Sequence, residues 1–203
     1  MTSSLEVTLT GRHVVLTPLS LDDVEGLLLA ANEDRSTYAF TRVPRTRVEM
    51  TEAITALLGE RDRLEGVPFV TRRRASGEVV GMTRFLTLRW WFERAYPDAA
   101  EIGGTFLAGS AQRTPINTEA KLLMLTHSFD VWGVQRLDLK TDERNVRSRR
   151  AIERLGASLD GVLRNWQPSM AENEGGRVRS SAMYSIVPDQ WPAIRDQLRQ
   201  RLV

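Results

Sequence analysis

The spacing of apolar residues switches repeatedly between a period of two and a period near 3.6. Residues 12–17 (Arg-His-Val-Val-Leu-Thr) read as a first strand, broken by Pro18. Ser20 then offers an N-cap, with Asp22 and Asp23 where negative charge meets the positive end of a helix, and Val24, Leu27, Leu28 and Ala31 recur at helical spacing. A second helix spans 46–63, marked by Met50, Ile54, Leu57 and Leu58 and ended by Gly66 and Pro68. Strand patterns follow at 67–71 and 79–88 around a hairpin turn at Ser76-Gly77, whose flank Arg72 to Arg74 reads as solvated. Residues 90–100 read as a loop or widened hairpin, 101–108 as a strand, and 109–117 as a loop. That loop enters a helix over roughly 118–131, with Ala120, Leu123, Met124 and Val131 on one face and Gly133 as its stop. A strand at 135–140, a helix at 144–155 stopped by Gly156, and strands at 157–167 and 178–187 follow, the last two around a polar turn containing Gly175-Gly176. An amphipathic helix over 191–202 closes the chain. With no internal repeat and no break in composition, the pattern predicts a single α/β domain over 1–203, mostly antiparallel in its N-terminal half.

Composition removes several chemistries. The 203 residues contain no cysteine, which excludes a disulfide scaffold, a cysteine-ligated zinc site and a cysteine thioester. Two histidines, His13 and His127, leave too little for a multi-histidine metal site or a Ser-His-Asp triad, and each reads as structural. Of 28 basic residues only Lys121 and Lys140 are lysines; 26 interspersed acids bring the net charge to +2, which argues against a dedicated nucleic-acid binder. The first ten residues have no apolar core of a signal peptide, and no run is apolar enough to cross a membrane, so a cytoplasmic protein is expected.

The residues that carry chemistry lie where strand 101–108 runs through its loop into a helix. Free backbone N–H groups and the helix dipole favour an anion at such a junction, Arg113 adds a charge, Thr114 can cap the helix and Pro115 suits its first turn. Capping alone would also account for these residues. Gln112-Arg113-Thr114-Pro115-Ile116-Asn117, however, resembles the Gln/Arg-x-x-Gly-x-Gly/Ala loop of the GNAT N-acyltransferases. The preceding Glu-Ile-Gly-Gly-Thr-Phe-Leu is similar to that family's central strand, and the following Thr-Glu-Ala-Lys-Leu-Leu-Met-Leu to its coenzyme-binding helix. Downstream, Asn145-x-x-Ser148 and Ala151-Ile152-Glu153-Arg154-Leu155-Gly156-Ala157 resemble the second signature. Gly161-Val162-Leu163-Arg164 and Met183-Tyr184-Ser185 are similar to the RimJ/RimL-like branch, which acetylates ribosomal-protein N-termini.

The resemblance implies a mixed sheet of about seven strands flanked by helices, with a V-shaped splay between the fourth and fifth strands. It implies direct transfer of an acetyl group from acetyl-CoA to a primary amine, on a small molecule or a protein N-terminus, through a ternary complex and without a metal. The coenzyme would be held by main-chain groups of Phe106 and Leu107, by the loop from Gln112 to Thr118, by Asn145 and Ser148, and by Arg149 or Arg150 at a phosphate, with Arg150 as the candidate. Two residues depart from the family's loop. Pro115 stands where the pattern has glycine and lacks an N–H; Asn117 stands where it has glycine or alanine and either donates or crowds the phosphate.

Glu101, at the mouth of the V, is the candidate base; a surface carboxylate opening a strand is the alternative. The family's acid tyrosine maps onto Ile152, which leaves Ser148 as candidate acid or as a turn residue, with Tyr184 as a second candidate. Asn145 is a ligand for the pantetheine arm, a helix cap, or both. Trp90, Trp91, Phe92 and Tyr96 wall an acceptor pocket, form a homodimer contact or pack the core. A coenzyme-binding module with little turnover, a succinyl or other acyl donor, and an arginine-rich RNA-associated protein are the competing readings.

Overall fold

The computed structural model describes residues 5–171 and 174–202, so parts of the N-terminal segment and of the polar turn fall outside them. Eight strands form one sheet: β1 (Leu9–Thr10), β2 (Val14–Pro18), β3 (Gly66–Arg73), β4 (Val79–Arg89), β5 (Ala99–Leu107), β6 (Arg136–Asp142), β7 (Ser158–Pro168) and β8 (Val178–Ile186). Their order is β1-β2-β3-β4-β5-β6-β8-β7, and every neighbouring pair is antiparallel except β5 with β6. The count exceeds the expected seven by β1, a two-residue edge strand, so the expected fourth and fifth strands are β5 and β6.

Helices α1 (Val24–Glu33) and α2 (Arg47–Asp62) connect β2 to β3. Thr46 caps α2, its Oγ1 accepting from Glu49 N at 3.2 Å while the Glu49 carboxylate takes Thr46 N. Helix α3 (Pro115–Thr126) continues through a π-helical turn, His127–Trp132, ended by Gly133 in the left-handed conformation at φ 66°. Helices α4 (Val146–Arg154) and α5 (Trp191–Gln200) complete the chain. Lys121 of α3 reaches Thr83 and Thr105, and Trp132 packs on Phe85 with ring centroids 4.6 Å apart, so α3 covers the sheet face that carries those residues. Tyr184 bonds to Arg149 and Glu153 of α4 and so faces the same way. Phe69, Phe85, Trp132 and Tyr184 are among the largest fully buried side chains.

Several expectations change. Helix α3 begins at Pro115 rather than near 118, because Thr114 is its N-cap and Pro115 its first residue. Val131 is 52% exposed instead of sharing the apolar face of Leu123 and Met124; the π turn adds a residue per turn and shifts the phase, so that Trp132 is buried instead. Pro18 does not break β2 but ends it, opposite Phe69. Arg72 is no solvated turn residue: it pairs with the buried Asp23 carboxylate, which also accepts from Ser20 N at 2.9 Å. Trp90, Trp91 and Phe92 are exposed, which removes core packing for them, while Tyr96 packs partly buried against the core.

Candidate active site

Strands β5 and β6 pair only at Ala99↔Arg136, Ala100↔Leu137 and Glu101↔Asp138, and then part. A bulge accounts for the divergence. Met82 faces Phe106 but Arg84 faces Gly103, so Thr83 opposes both Gly104 and Thr105. Gly104 takes φ 56°, where a glycine carries no penalty, and a bulge both bends and twists its strand. The outer half of β5 therefore follows β4 and leaves β6. Lys121 fixes the bulge from behind, its Nζ donating to Thr83 Oγ1 and Thr105 Oγ1 at 2.8 Å each. Burial away from any carboxylate pushes the Lys121 amine down to about 7.

The freed edge of β5 forms one wall of the wedge. Ala108 N donates to Val80 O at 2.8 Å, so the main-chain groups of Leu107 turn the other way, into the opening. The Leu107 carbonyl accepts from Tyr38 Oη at 2.8 Å and Gln112 Nε2 at 2.9 Å. Both its lone pairs are thus engaged, and the expected strand-like pairing of a pantetheine arm with this carbonyl requires one donor to withdraw. Tyr38 is buried edge-on against Phe106, and burial raises its hydroxyl above the usual phenol range. Gln112 also donates to Thr37 Oγ1 at 2.9 Å, and Arg147 of α4 donates to Thr37 O at 2.6 Å and Gln112 Oε1 at 3.3 Å. The α1–α2 connection, the α3 loop and α4 therefore meet across the open end.

At the start of α3, Thr114 Oγ1 donates to Ala111 O at 2.7 Å and accepts from Ile116 N at 3.4 Å. Pro115 has no N–H to offer, and Asn117 is the third helical residue, whose N–H finds no acceptor within the helix. Ile116 is buried, so its side chain serves the core; Asn117 and Thr118 are half-buried, and Arg113 is exposed at φ 59°, a strained conformation for an arginine. Asn145 caps α4, its Oδ1 accepting from Ser148 N at 3.0 Å. Arg149 bonds to Tyr184 Oη at 3.0 Å and to Glu143 O, which leaves the exposed Arg150 as the free one of the pair.

Glu101 stands at the apex of the wedge, where pairing stops, and not at its mouth. It is buried, and its Oε2 accepts from Lys140 Nζ at 2.8 Å. Burial raises its carboxyl above the ordinary value against the pull of Lys140. Leu86 and Asp138 lie directly opposite it on β4 and β6 and so share its sheet face, the one turned away from α3 and α4. Asp138 is held by Arg89 and Arg136. A cleft of about 820 Å³ on this face is lined by Arg84, Leu86, Leu88 and Trp90, among others; Glu101 lies one strand beyond its lining. Tyr184 lies on the other face, fully buried, donating to Glu153 Oε1 at 2.8 Å, which removes it as candidate acid.

Residues 13–158 match the acetyltransferase (GNAT) domain. The chain belongs to the GNAT acetyltransferase family. A GCN5-related N-acetyltransferase from Brucella melitensis is 27% identical with a TM-score of 0.83, the match covering 98% of this chain and 86% of that one. The Mycobacterium smegmatis RimJ, solved in complex with CoA-disulfide, shares the fold at 19% identity with a TM-score of 0.81, covering 99% and 97%. So does the ribosomal-protein-S5-alanine acetyltransferase from Vibrio fischeri at 15% identity, with a TM-score of 0.70 and coverage of 92% and 99%. A search of curated proteins finds no match.

Within this GNAT chain the structure brings together Leu107, Gln112 and Arg147 at one end of the wedge, and Asn145 with Ser148 on α4. It leaves Glu101 at the apex and Arg150 facing solvent. Tyr38, Lys121, Lys140 and Arg147 were not singled out by the motifs. One signal pointed to two of them: in a chain that uses arginine almost everywhere, both lysines are held in the site.

Proposed function

We propose that the protein transfers an acetyl group from acetyl-CoA directly to a primary amine. The observation that carries this reading is the interrupted pairing of β5 and β6, which leaves one strand edge unpaired between the N-termini of α3 and α4. A pantetheine arm fits such an edge as an added strand along Phe106 and Leu107, with Asn145 donating to it from the opposite wall. The amides of Thr114 and Asn117, the Thr118 hydroxyl and the cations Arg113 and Arg150 suit the pyrophosphate and phosphate.

Glu101 is the base in this reading, acting directly or through a water. Its raised pKa brings it closer to the range where it can accept a proton from an ammonium. The freed lone pair attacks the thioester carbonyl carbon, and the tetrahedral adduct collapses with loss of the C–S bond. The nitrogen's second proton passes to the departing thiolate, with the Ser148 hydroxyl as the nearest candidate relay, giving its own proton to sulfur and taking the one from nitrogen. Products are the amide and the free thiol.

Calorimetric titration with acetyl-CoA, followed by thiol release with a panel of amines, tests the proposal. Saturating acetyl-CoA at ~100 times its dissociation constant should stabilise the protein by about 2.7 kcal/mol. At roughly 2–4 °C per kcal/mol for a chain of this size, the melting temperature should rise by several degrees. Neither heat nor a thermal shift at millimolar acetyl-CoA would overturn the reading.

A further inference from the structure

Strand β8 presents Ser185, Met183 and Ser181 opposite Asp138, Lys140 and Asp142, and therefore on the Glu101 face of the sheet. Arg179 follows in the same alternation, on the side where the wedge opens. It is only 9% exposed, yet its side chain makes no hydrogen bond or ion pair among the described residues, and its Nε is buried without a partner. Ser181 is fully buried beside it, and its hydroxyl too has no partner.

Among the described residues, each carboxylate near Arg179 is already paired with another cation. Asp142 is engaged by Arg144, which donates through N and Nε to Oδ1 at 2.9 Å each and through Nη2 to Oδ2 at 2.7 Å. Arg144 also takes Glu174, Lys140 takes Glu101, and Arg89 with Arg136 takes Asp138. Arg179 still lies within the field of Glu101 and Asp142, while burial pulls its own pKa down. Burying a guanidinium without a partner is costly, and removing water from it gains nothing in the free protein. Such a group is explained when a ligand supplies the missing anion.

We infer that Arg179, with the Ser181 hydroxyl, is the subsite for a carboxylate on the acceptor, so that the acceptor is a small amine carrying a carboxylate. The inference rests on the acyl-transfer reading and narrows its substrate. The planar guanidinium fork matches a carboxylate in two parallel hydrogen bonds, and the hydroxyl adds a third donor. The coenzyme is not the occupant: its phosphates belong at the N-termini of α3 and α4, which pack on the opposite face. The amine end of the acceptor then lies toward Glu101 and the carboxylate end toward Arg179.

The test compares α-, β- and γ-amino acids with their carboxamides as acceptors, in the wild type and in Arg179→Met, with acetyl-CoA affinity measured in parallel. The carboxamides have the more acidic ammonium, so any bias in amine reactivity runs against the expected result. The wild type should prefer at least one carboxylate by about 30-fold or more in kcat/KM, and Arg179→Met should erase that preference through KM while acetyl-CoA affinity holds. Free Arg179→Met should melt no lower than wild type, because it loses a buried charge that has no partner; a structural arginine would behave oppositely. Arg179→Lys should retain part of the preference. The inference is overturned by equal use of carboxylates and carboxamides, by a preference that survives Arg179→Met, or by acetyl-CoA binding without turnover of any amino carboxylate. A fall in acetyl-CoA affinity in Arg179→Met would place the anion on the coenzyme and also overturn it. Failure of the wild type to bind acetyl-CoA would instead sink the acyl-transfer reading beneath it.

Discussion

Lys121→Met isolates the cost of the buried amine behind the β5 bulge. The amine titrates at about 7 in the folded protein against an ordinary 10.5. Between those values the unfolded chain holds a proton that the folded chain has released, so stability rises with pH across this window. Below pH 7 both states are charged, the full penalty is present and the slope vanishes. Within the window each pH unit contributes at most about 1.4 kcal/mol, so from pH 7 to pH 9 this one group should add about 2 kcal/mol. That corresponds to roughly 4–8 °C in melting temperature. Methionine keeps the length of the stem and carries no proton, and the two threonine hydroxyls, 2.8 Å apart, can satisfy each other once the amine is gone. Thermal melts of both proteins across pH 6 to 9 give the comparison, in which all other titrating groups cancel. Lys121→Met should gain most, relative to wild type, at pH 7 and below, and the gap should move by those few degrees toward the wild type by pH 9. Parallel curves would refute the reasoning, since Lys121 would then titrate as an ordinary solvated lysine.

Glu119→Gln tests a different buried group. The Glu119 carboxylate of α3 accepts from the backbone N–H groups of Arg12, His13 and Val14 at 2.8, 2.6 and 2.9 Å. Replacing a charged acceptor by a neutral one and turning an NH₂ toward a backbone donor should cost about 2–4 kcal/mol, read as a melting temperature lower by roughly 5 °C or more; a change below about 1 °C would contradict the account. Asn117→Asp, which sets a carboxylate in the first turn of α3, should weaken acetyl-CoA binding about tenfold or more with a steep salt dependence, whereas Asn117→Gly should bind at least as well as wild type, both by calorimetry. Glu101→Gln should lower turnover by ~100-fold or more near neutral pH, with acetyl-CoA affinity nearly intact and partial recovery at high pH, where free amine no longer needs a base. Identical pH–rate profiles for the two proteins would leave Glu101 a structural partner of Lys140.

The order of strands and helices was legible because each element carries its own period, and the anion loop because Thr114 and Pro115 punctuate it. Asn145 was legible as a cap for the same local reason. The start of α3 was misplaced where two signals disagreed: the apolar period gathers strength only after Ile116, while the cap and the proline already opened the helix. The phase error at Val131 came from a π turn, which leaves no local mark beyond Gly133. Glu119, Tyr38 and Arg179 act on partners from 69 to 107 positions away or on none among the described residues, so neither spacing nor motif could single them out. Lys121 and Lys140 stood out only by contrast with the arginines. The contrast has a physical basis, because a lysine can lose its charge inside a protein and an arginine cannot.

The brief contact between β5 and β6 also divides the sheet. Strands β1 to β5 are joined by consecutive antiparallel neighbours, and β6 to β8 form a second antiparallel group; three residue pairs link the two. A junction of that kind is a natural boundary between cooperative units in amide exchange. Protons on the outer half of β5 should therefore exchange faster than those of β3 and β4, which are paired on both sides. A molecule seated along that edge would act as a splint between the two groups, slowing exchange on both and raising the cooperativity with which they unfold.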